Sequence, residues 1–260
     1  MIRLSANLGF LWPELGLLDR IDAAARAGFR AIELHFPYDI PAETVRAACV
    51  RHGLTLLALN TGLGDVSRGE FGLGAVPGRE RDFQAKIDQS IAYCRDSGAT
   101  AIHAMAGVVP PGEHRLARET FLRNLDAAST KAKAHGLTLL LEPLNPVDKE
   151  GYFYSTVGEA AAIIAELSAS NVRLMFDAYH VGVAEGNVIR KLERHFPIIG
   201  HIQIAAVPSR AEPDEGEIAY GAIFDAIERL GYTGWIGAEY KPRETTDAGL
   251  GWIERLGLTL

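Results

Sequence analysis

Five times in this chain a helix-compatible stretch stops at a glycine and an apolar run follows. The junctions are Ala27-Gly28-Phe29, His52-Gly53-Leu54, Ser97-Gly98-Ala99, His135-Gly136-Leu137 and Leu230-Gly231-Tyr232. Glycine just past a helix end supplies the left-handed backbone that closes it, so this punctuation marks helix-to-strand returns. Read with it, the apolar runs fall at 2–7, 31–35, 54–59, 101–105, 137–142, 172–177, 198–204 and 235–239. Between them lie amphipathic segments near 15–27, 41–52, 79–97, 115–135, from 156, 187–195, 219–230 and from 247. At the start of the fifth helix Thr156 or Ser155 is the expected N-cap, with Glu159 suiting a capping box.

Strictly alternating strand and helix signals predict an α/β chain with a parallel sheet. Eight such units in 260 residues, with no linker or low-complexity segment, predict one (β/α)8 TIM-barrel domain spanning 1–260. No GxGxxG follows the first strand, which weighs against an open nucleotide-binding sheet. Residues 60–78 are Gly-rich and have no helical period. A loop of that length in a compact domain is often functional, and a lid is the expectation here.

Charge and cysteine content narrow the function. A formal charge of −7 argues against a nucleic-acid partner, which would want local excess of Lys and Arg. Two cysteines, Cys49 and Cys94, are too few for a disulfide framework or a CxxC zinc site, and suit a reducing compartment. No apolar run reaches the roughly 18 residues that cross a bilayer. The opening residues show no signal-peptide architecture, so a cytoplasmic protein without membrane partners is expected.

Four consecutive predicted strands end in, or one residue after, a side chain with an oxygen donor: Glu142, Asp177, Gln203 and Glu239. In a barrel these converge on the mouth at the C-terminal ends of the strands. Three carboxylates together repel unless a cation or a proton intervenes, and an all-oxygen set suits Mg2+ or Mn2+ better than Zn2+. Such a site fits aldose–ketose chemistry, in which a proton moves between adjacent carbons through an enediolate.

The motifs around these residues resemble the hydroxypyruvate isomerase family of xylose-isomerase-like TIM barrels, including the closely similar 2-oxo-tetronate isomerases. They are Leu141-Glu142-Pro143-Leu144-Asn145, Phe176-Asp177-Ala178-Tyr179-His180, Gly200-His201-Ile202-Gln203-Ile204-Ala205 and Gly237-Ala238-Glu239-Tyr240-Lys241-Pro242. Phe36-Pro37-Tyr38-Asp39, Pro77-Gly78-Arg79-Glu80 and the loop 207–213 extend the resemblance over nearly the whole chain. It implies a divalent-metal site at Glu142, Asp177, Gln203 and Glu239, with Glu142 and Glu239 as proton donor and acceptor. It also implies a small hydroxy-oxo acid as substrate, and relatives of this kind are often homo-oligomers. Hydroxypyruvate to 2-hydroxy-3-oxopropanoate is the leading reaction. A 2-oxo-tetronate isomerase is the nearest alternative, and a ketose 3-epimerase is third, because sugar-acting relatives carry histidine where this chain has Gln203.

Other residues are candidates for the substrate. Arg210 is expected to bind its carboxylate; a loop salt bridge with Glu212 or Asp214 is the plainer alternative. His180, Lys241, Asn7 and His103 are further candidates, with His35 on the second strand, although a solvated lysine is an equally simple account of Lys241. His201, one layer below Gln203, reads as a core histidine with a satisfied partner. From other classes, a multi-zinc endonuclease-like barrel and a small-acid binder are the rivals. The first lacks a histidine-rich cluster; the second has no reason to retain both glutamates.

Overall fold

The computed structural model describes residues 2–260. Its strands are β1 (Leu4–Asn7), β2 (Ala31–Glu33), β3 (Thr55–Leu56), β4 (Ala58–Asn60), β5 (Ala101–His103), β6 (Thr138–Leu141), β7 (Val172–Asp177), β8 (Ile199–Ile204) and β9 (Ile236–Ala238). All sheet pairings among them are parallel, in the order β3-β2-β1-β9-β8-β7-β6-β5-β4. The ends of this order, β3 and β4, are separated only by Leu57. Its N–H donates to Ile32, while its carbonyl accepts from Thr100 and Ala101. They are one broken strand, and the sheet closes at Leu57 into the expected eightfold barrel.

The helices cover the outside: α1 (Leu17–Ala27), α2 (Ala42–His52), α3 (Glu80–Ser97), α4 (His114–Ala134), α5 (Val157–Leu167), α6 (Ala178–Ala184), α7 (Val188–His195), α8 (Tyr220–Arg229), α9 (Thr246–Gly249) and α10 (Trp252–Arg255). Gly28 and Gly53 adopt φ of 105° and 64° at the ends of α1 and α2, as the punctuation required. The capping box forms: Glu159 N donates to Thr156 Oγ1, and Thr156 N to Glu159 Oε2. Two expectations are corrected. α6 follows Asp177 directly, where only the later α7 was anticipated. The terminal helix is two short pieces broken at Leu250-Gly251.

The main core lies between barrel and helices, with Phe29, Phe83 and Phe121 fully buried. Truncating one such ring to alanine costs about 3–5 kcal/mol. Inside the barrel a small apolar cluster, Ala58, Leu140 and Met175, lies beside β4, β6 and β7. The opposite side of the lumen is polar, with Ser5, Glu33, His201 and Gln203 all buried. At the mouth, the loop after β1 is tied to the C-terminal segment. Trp12 N donates to Thr246 Oγ1 (2.6 Å) and its indole Nε1 to Asp247 Oδ1 (2.8 Å). Among the described residues no helix is long and apolar enough to cross a membrane.

Candidate active site

Period-two alternation places successive inward side chains one above the other on each strand. On β7 these are Met175 and Asp177, on β8 His201 and Gln203, while Glu142 and Glu239 stand just beyond β6 and β9. Asp177 and Gln203 are register partners, so they share one level. All four predicted ligands are buried, at 5% exposure or less.

Glu142 Oε1, Asp177 Oδ2, Gln203 Oε1 and Glu239 Oε2 are buried without a hydrogen-bond partner. Their second atoms are occupied. Asp177 Oδ1 caps α6 by accepting from Tyr179 N (2.9 Å), and Gln203 Nε2 donates to Glu33 Oε2 (2.9 Å). Glu142 Oε2 lies 3.3 Å from His103 Nδ1, and Glu239 Oε1 is 3.3 Å from both Arg210 Nη2 and His35 Nε2. Unsatisfied buried oxygens are costly; of the three acids, Glu142 and Asp177 fall within metal-ligand spacing of each other, and Glu239 stands outside that cluster.

The acids respond to crowding as expected. Burial first, then the charges of Glu239 and Asp177, push the Glu142 carboxyl well above the usual range. Burial and Glu239 raise Asp177 to about 7, against the opposing pull of Arg210. His103 moves the other way. Burial, then His35, lowers His103 to about 3, so the imidazole that faces Glu142 is uncharged.

His180 is held as a neutral donor. Its Nδ1 accepts from Asn145 N (3.1 Å) and lies 2.7 Å from Asn145 Nδ2, so the ring proton sits on Nε2. That Nε2 lies 3.7 Å from Glu142 Oε1 and 3.6 Å from Asp177 Oδ2. Glu142, Asp177 and His180 each offer an atom within 4.8 Å of the others, a spacing that could hold a metal. With Nε2 protonated, however, His180 is placed to donate to an oxygen and the carboxylates are the better ligands.

Arg210 is set by its loop after β8. Its guanidinium lies between the rings of Phe10 and Tyr179, 4.7 and 4.8 Å from their centroids. Nη1 pairs with Asp148 at 2.9 Å and Nη2 with Glu239, leaving Nε buried and unpartnered. The alternative of a local bridge to Glu212 or Asp214 does not form; those acids pair with Arg243.

A cavity of about 230 Å3 opens above these groups, lined by Glu142, Glu239, His103, His180 and Arg210. Phe10, Phe36 and Phe71 wall it, and Lys149 stands at its edge with its ammonium 3.9 Å from the Phe71 centroid. Asn7 is buried lower, its Oδ1 accepting from Gly9 N and its Nδ2 3.5 Å from Glu33. Lys241 is exposed and lies outside the cavity lining; only its backbone N reaches Arg210 O. The Gly-rich loop supplies Phe71 to the cavity and is tied to the segment after β5 at Gly74 N and Ala75 N, which donate to Met105 O and Ala106 O.

Below the mouth lies a group that sequence reading missed. Glu33 accepts from Ser5 Oγ (2.6 Å) and Gln203 Nε2, and its Oε1 is 3.1 Å from His201 Nε2. Burial disfavours its charge, yet His201 and these hydrogen bonds outweigh that and hold the carboxyl below its ordinary value. Burial likewise opposes charge on His201, and Glu33 reverses the balance and raises it. His201 is thus a core histidine with a partner. The only sequence signal for Glu33 was its period-two spacing from His35.

Comparison with known proteins agrees with this fold. The family model described as xylose isomerase-like TIM barrel matches residues 21–256. A 2-oxo-tetronate isomerase of Cupriavidus necator is 46% identical, over 98% of this chain and 98% of its own. A Xenopus laevis chain named "Putative hydroxypyruvate isomerase" is 40% identical, over 98% and 95%. A Brucella melitensis crystal structure, described as an AP endonuclease of family 2, superposes with a TM-score of 0.95 at 37% identity, over 98% and 99%. An eightfold barrel with these carboxylates at its mouth, matched over nearly its full length, belongs to the xylose isomerase-like TIM-barrel family.

Proposed function

We propose that this isomerase interconverts a short 2-oxo-3-hydroxy acid and its 2-hydroxy-3-oxo isomer by proton transfer between C3 and C2. The observation that carries the reading is the set of four unpartnered oxygens, one each from Glu142, Asp177, Gln203 and Glu239. These four residues would hold a divalent ion, Mg2+ or Mn2+, which supplies positive charge where the substrate oxygens become negative. One glutamate takes the proton from C3 to give the enediolate, the hydroxyl proton passes from the C3 oxygen to the C2 oxygen, and the other glutamate delivers a proton to C2. Glu142 and Glu239 exchange these roles with the direction of reaction. His180 Nε2–H donates to a substrate oxygen, and the uncharged His103 orients Glu142. Arg210 offers its unpartnered Nε–H to the carboxylate of the substrate. Phe10, Phe36 and Phe71 exclude water from the reacting carbons.

Two substrates share this chemistry. The 46% identity to the Cupriavidus necator 2-oxo-tetronate isomerase favours the four-carbon acid. Hydroxypyruvate, one carbon shorter, is the second reading, favoured by the 40% identity to the Xenopus laevis chain. A multi-zinc nuclease is disfavoured. Among the described residues the one cluster with metal-ligand spacing has a single histidine, whose Nε2 carries a proton.

Proton NMR in D2O tests the proposal, with 2-oxo-tetronate and hydroxypyruvate offered separately in the presence of Mn2+ or Mg2+. The expected result is isomerisation with deuterium at the receiving carbon, lost in both Glu142→Gln and Glu239→Gln. Turnover that survives either substitution would refute the two-carboxylate mechanism.

A further inference from the structure

A carboxamide presents an oxygen at one end and two N–H groups at the other, and the two ends are nearly equal in shape. If Gln203 turned over, its NH2 would face the three carboxylates and expel any cation held there. Nothing at the mouth itself sets the orientation, since Gln203 Oε1 has no hydrogen-bond partner. It is decided one layer down. Gln203 Nε2 lies 2.9 Å from Glu33 Oε2, and a carboxylate accepts hydrogen bonds without donating any.

Glu33 is itself held among further N–H and O–H groups. Ser5 Oγ is 2.6 Å from Oε1, His201 Nε2 is 3.1 Å from the same oxygen, and Asn7 Nδ2 is 3.5 Å from Oε2. These come from β1 and β8, so the carboxylate reaches across the lumen from β2 past β1 and β9. The path is open because β9 carries glycine at the crossing. Gly237 is the register partner of both Ser5 and Gln203. A Cβ there would overlap Glu33 Oε1 and lie 2.9 Å from Gln203 Cγ.

We infer that Glu33 is a positioning residue, which fixes the Gln203 amide with its oxygen toward the carboxylates and so completes an all-oxygen ligand set. The inference rests on the reading of Gln203 as a metal ligand. Outer partners of this kind typically change metal affinity about 10–100-fold when removed.

The test uses the full chain in four forms: wild type, Glu33→Gln, Gln203→Glu and the exchange of the two, E33Q/Q203E. In metal-free protein, the Gln203 side-chain amide resonance is identified by its loss in Gln203→Glu. In wild type it is expected to be slow to exchange with solvent, and in Glu33→Gln shifted and fast. Mn2+ binding, followed by the free-ion EPR signal, is expected to weaken about tenfold or more in Glu33→Gln. In E33Q/Q203E the new amide donates to the new carboxylate, an oxygen again faces the mouth, and affinity recovers toward wild type. A merely structural Glu33 would lower the melting temperature of Glu33→Gln while leaving the amide resonance and the Mn2+ Kd unmoved, and that result overturns the inference. If wild type takes up no Mn2+, the ligand reading fails by itself, and the amide resonance alone decides whether Glu33 sets the orientation.

Discussion

With the proposed divalent ion kept off by a chelator, the protein should become less stable as pH rises from about 5 to about 7, and the size of the effect follows from Asp177. Burial and the neighbouring Glu239 carboxylate raise its carboxyl from 3.8 to about 7 in the folded state. The unfolded chain gives up the same proton near 3.8, so between these values the folded state holds more protons. Stability from this group is therefore complete below about 3.8 and lost as pH climbs through about 7. One such proton is worth about 1.4 kcal/mol per pH unit, or roughly 2–3 kcal/mol over this interval. Glu142, raised by burial and by the same neighbours, acts in the same direction. In a chain of this size that is a fall of about 5–10 °C in melting temperature. The assay is thermal unfolding in EDTA across the interval, beside Asp177→Asn, whose Oδ1 can still cap α6 at Tyr179 N. The variant should show a shallower slope, and added Mn2+ should remove the decline in wild type. An equal slope in Asp177→Asn, or chelated wild type gaining stability toward pH 7, would refute the reasoning.

Two other outcomes follow from packing. Gly237→Ala places a methyl group against Glu33 and Gln203, so about 1–3 kcal/mol of destabilisation is expected in denaturant titration, with weaker Mn2+ uptake. Mn2+ affinity equal to wild type would show that the crossing tolerates a side chain. Burial pushes the Cys49 thiol up to about 11 and that of Cys94 to about 12. A thiol reagent near pH 8 should therefore label neither in the native protein and both after unfolding; rapid native labelling would contradict the burial of α2 and α3.

The frame was legible because its signals are local. A glycine after each of several helices and a carboxylate at the end of a strand can be read without knowing any partner. α6 was not legible, because 178–184 is short, contains Gly182 and begins on a cap that Asp177 supplies. The break at Leu57 lies inside an unbroken apolar run and arises from bonding to two neighbours at once. At the mouth, Glu142, Asp177, Gln203 and Glu239 were readable as strand ends, whereas the pairing of Arg210 with Asp148 spans two loops without period. Glu33 eluded sequence reading for a similar reason: it lies 170 residues from Gln203, and its role exists only when the barrel closes.

The tie between Trp12 and the C-terminal segment has a bearing on how the mouth can be altered. Thr246 and Asp247 hold the backbone and indole of Trp12, and the same short loop carries Phe10, on whose ring the Arg210 guanidinium rests. On the far side, Trp252 Nε1 donates to the hydroxyl of Tyr240, the residue after Glu239. Thr246, Asp247 and Trp252 thus brace the aromatic seat of the Arg210 guanidinium and the segment bearing Glu239, the proposed proton-transfer carboxylate. Variation in α9 and α10 is therefore a route by which substrate preference can drift while every residue that touches the substrate stays the same.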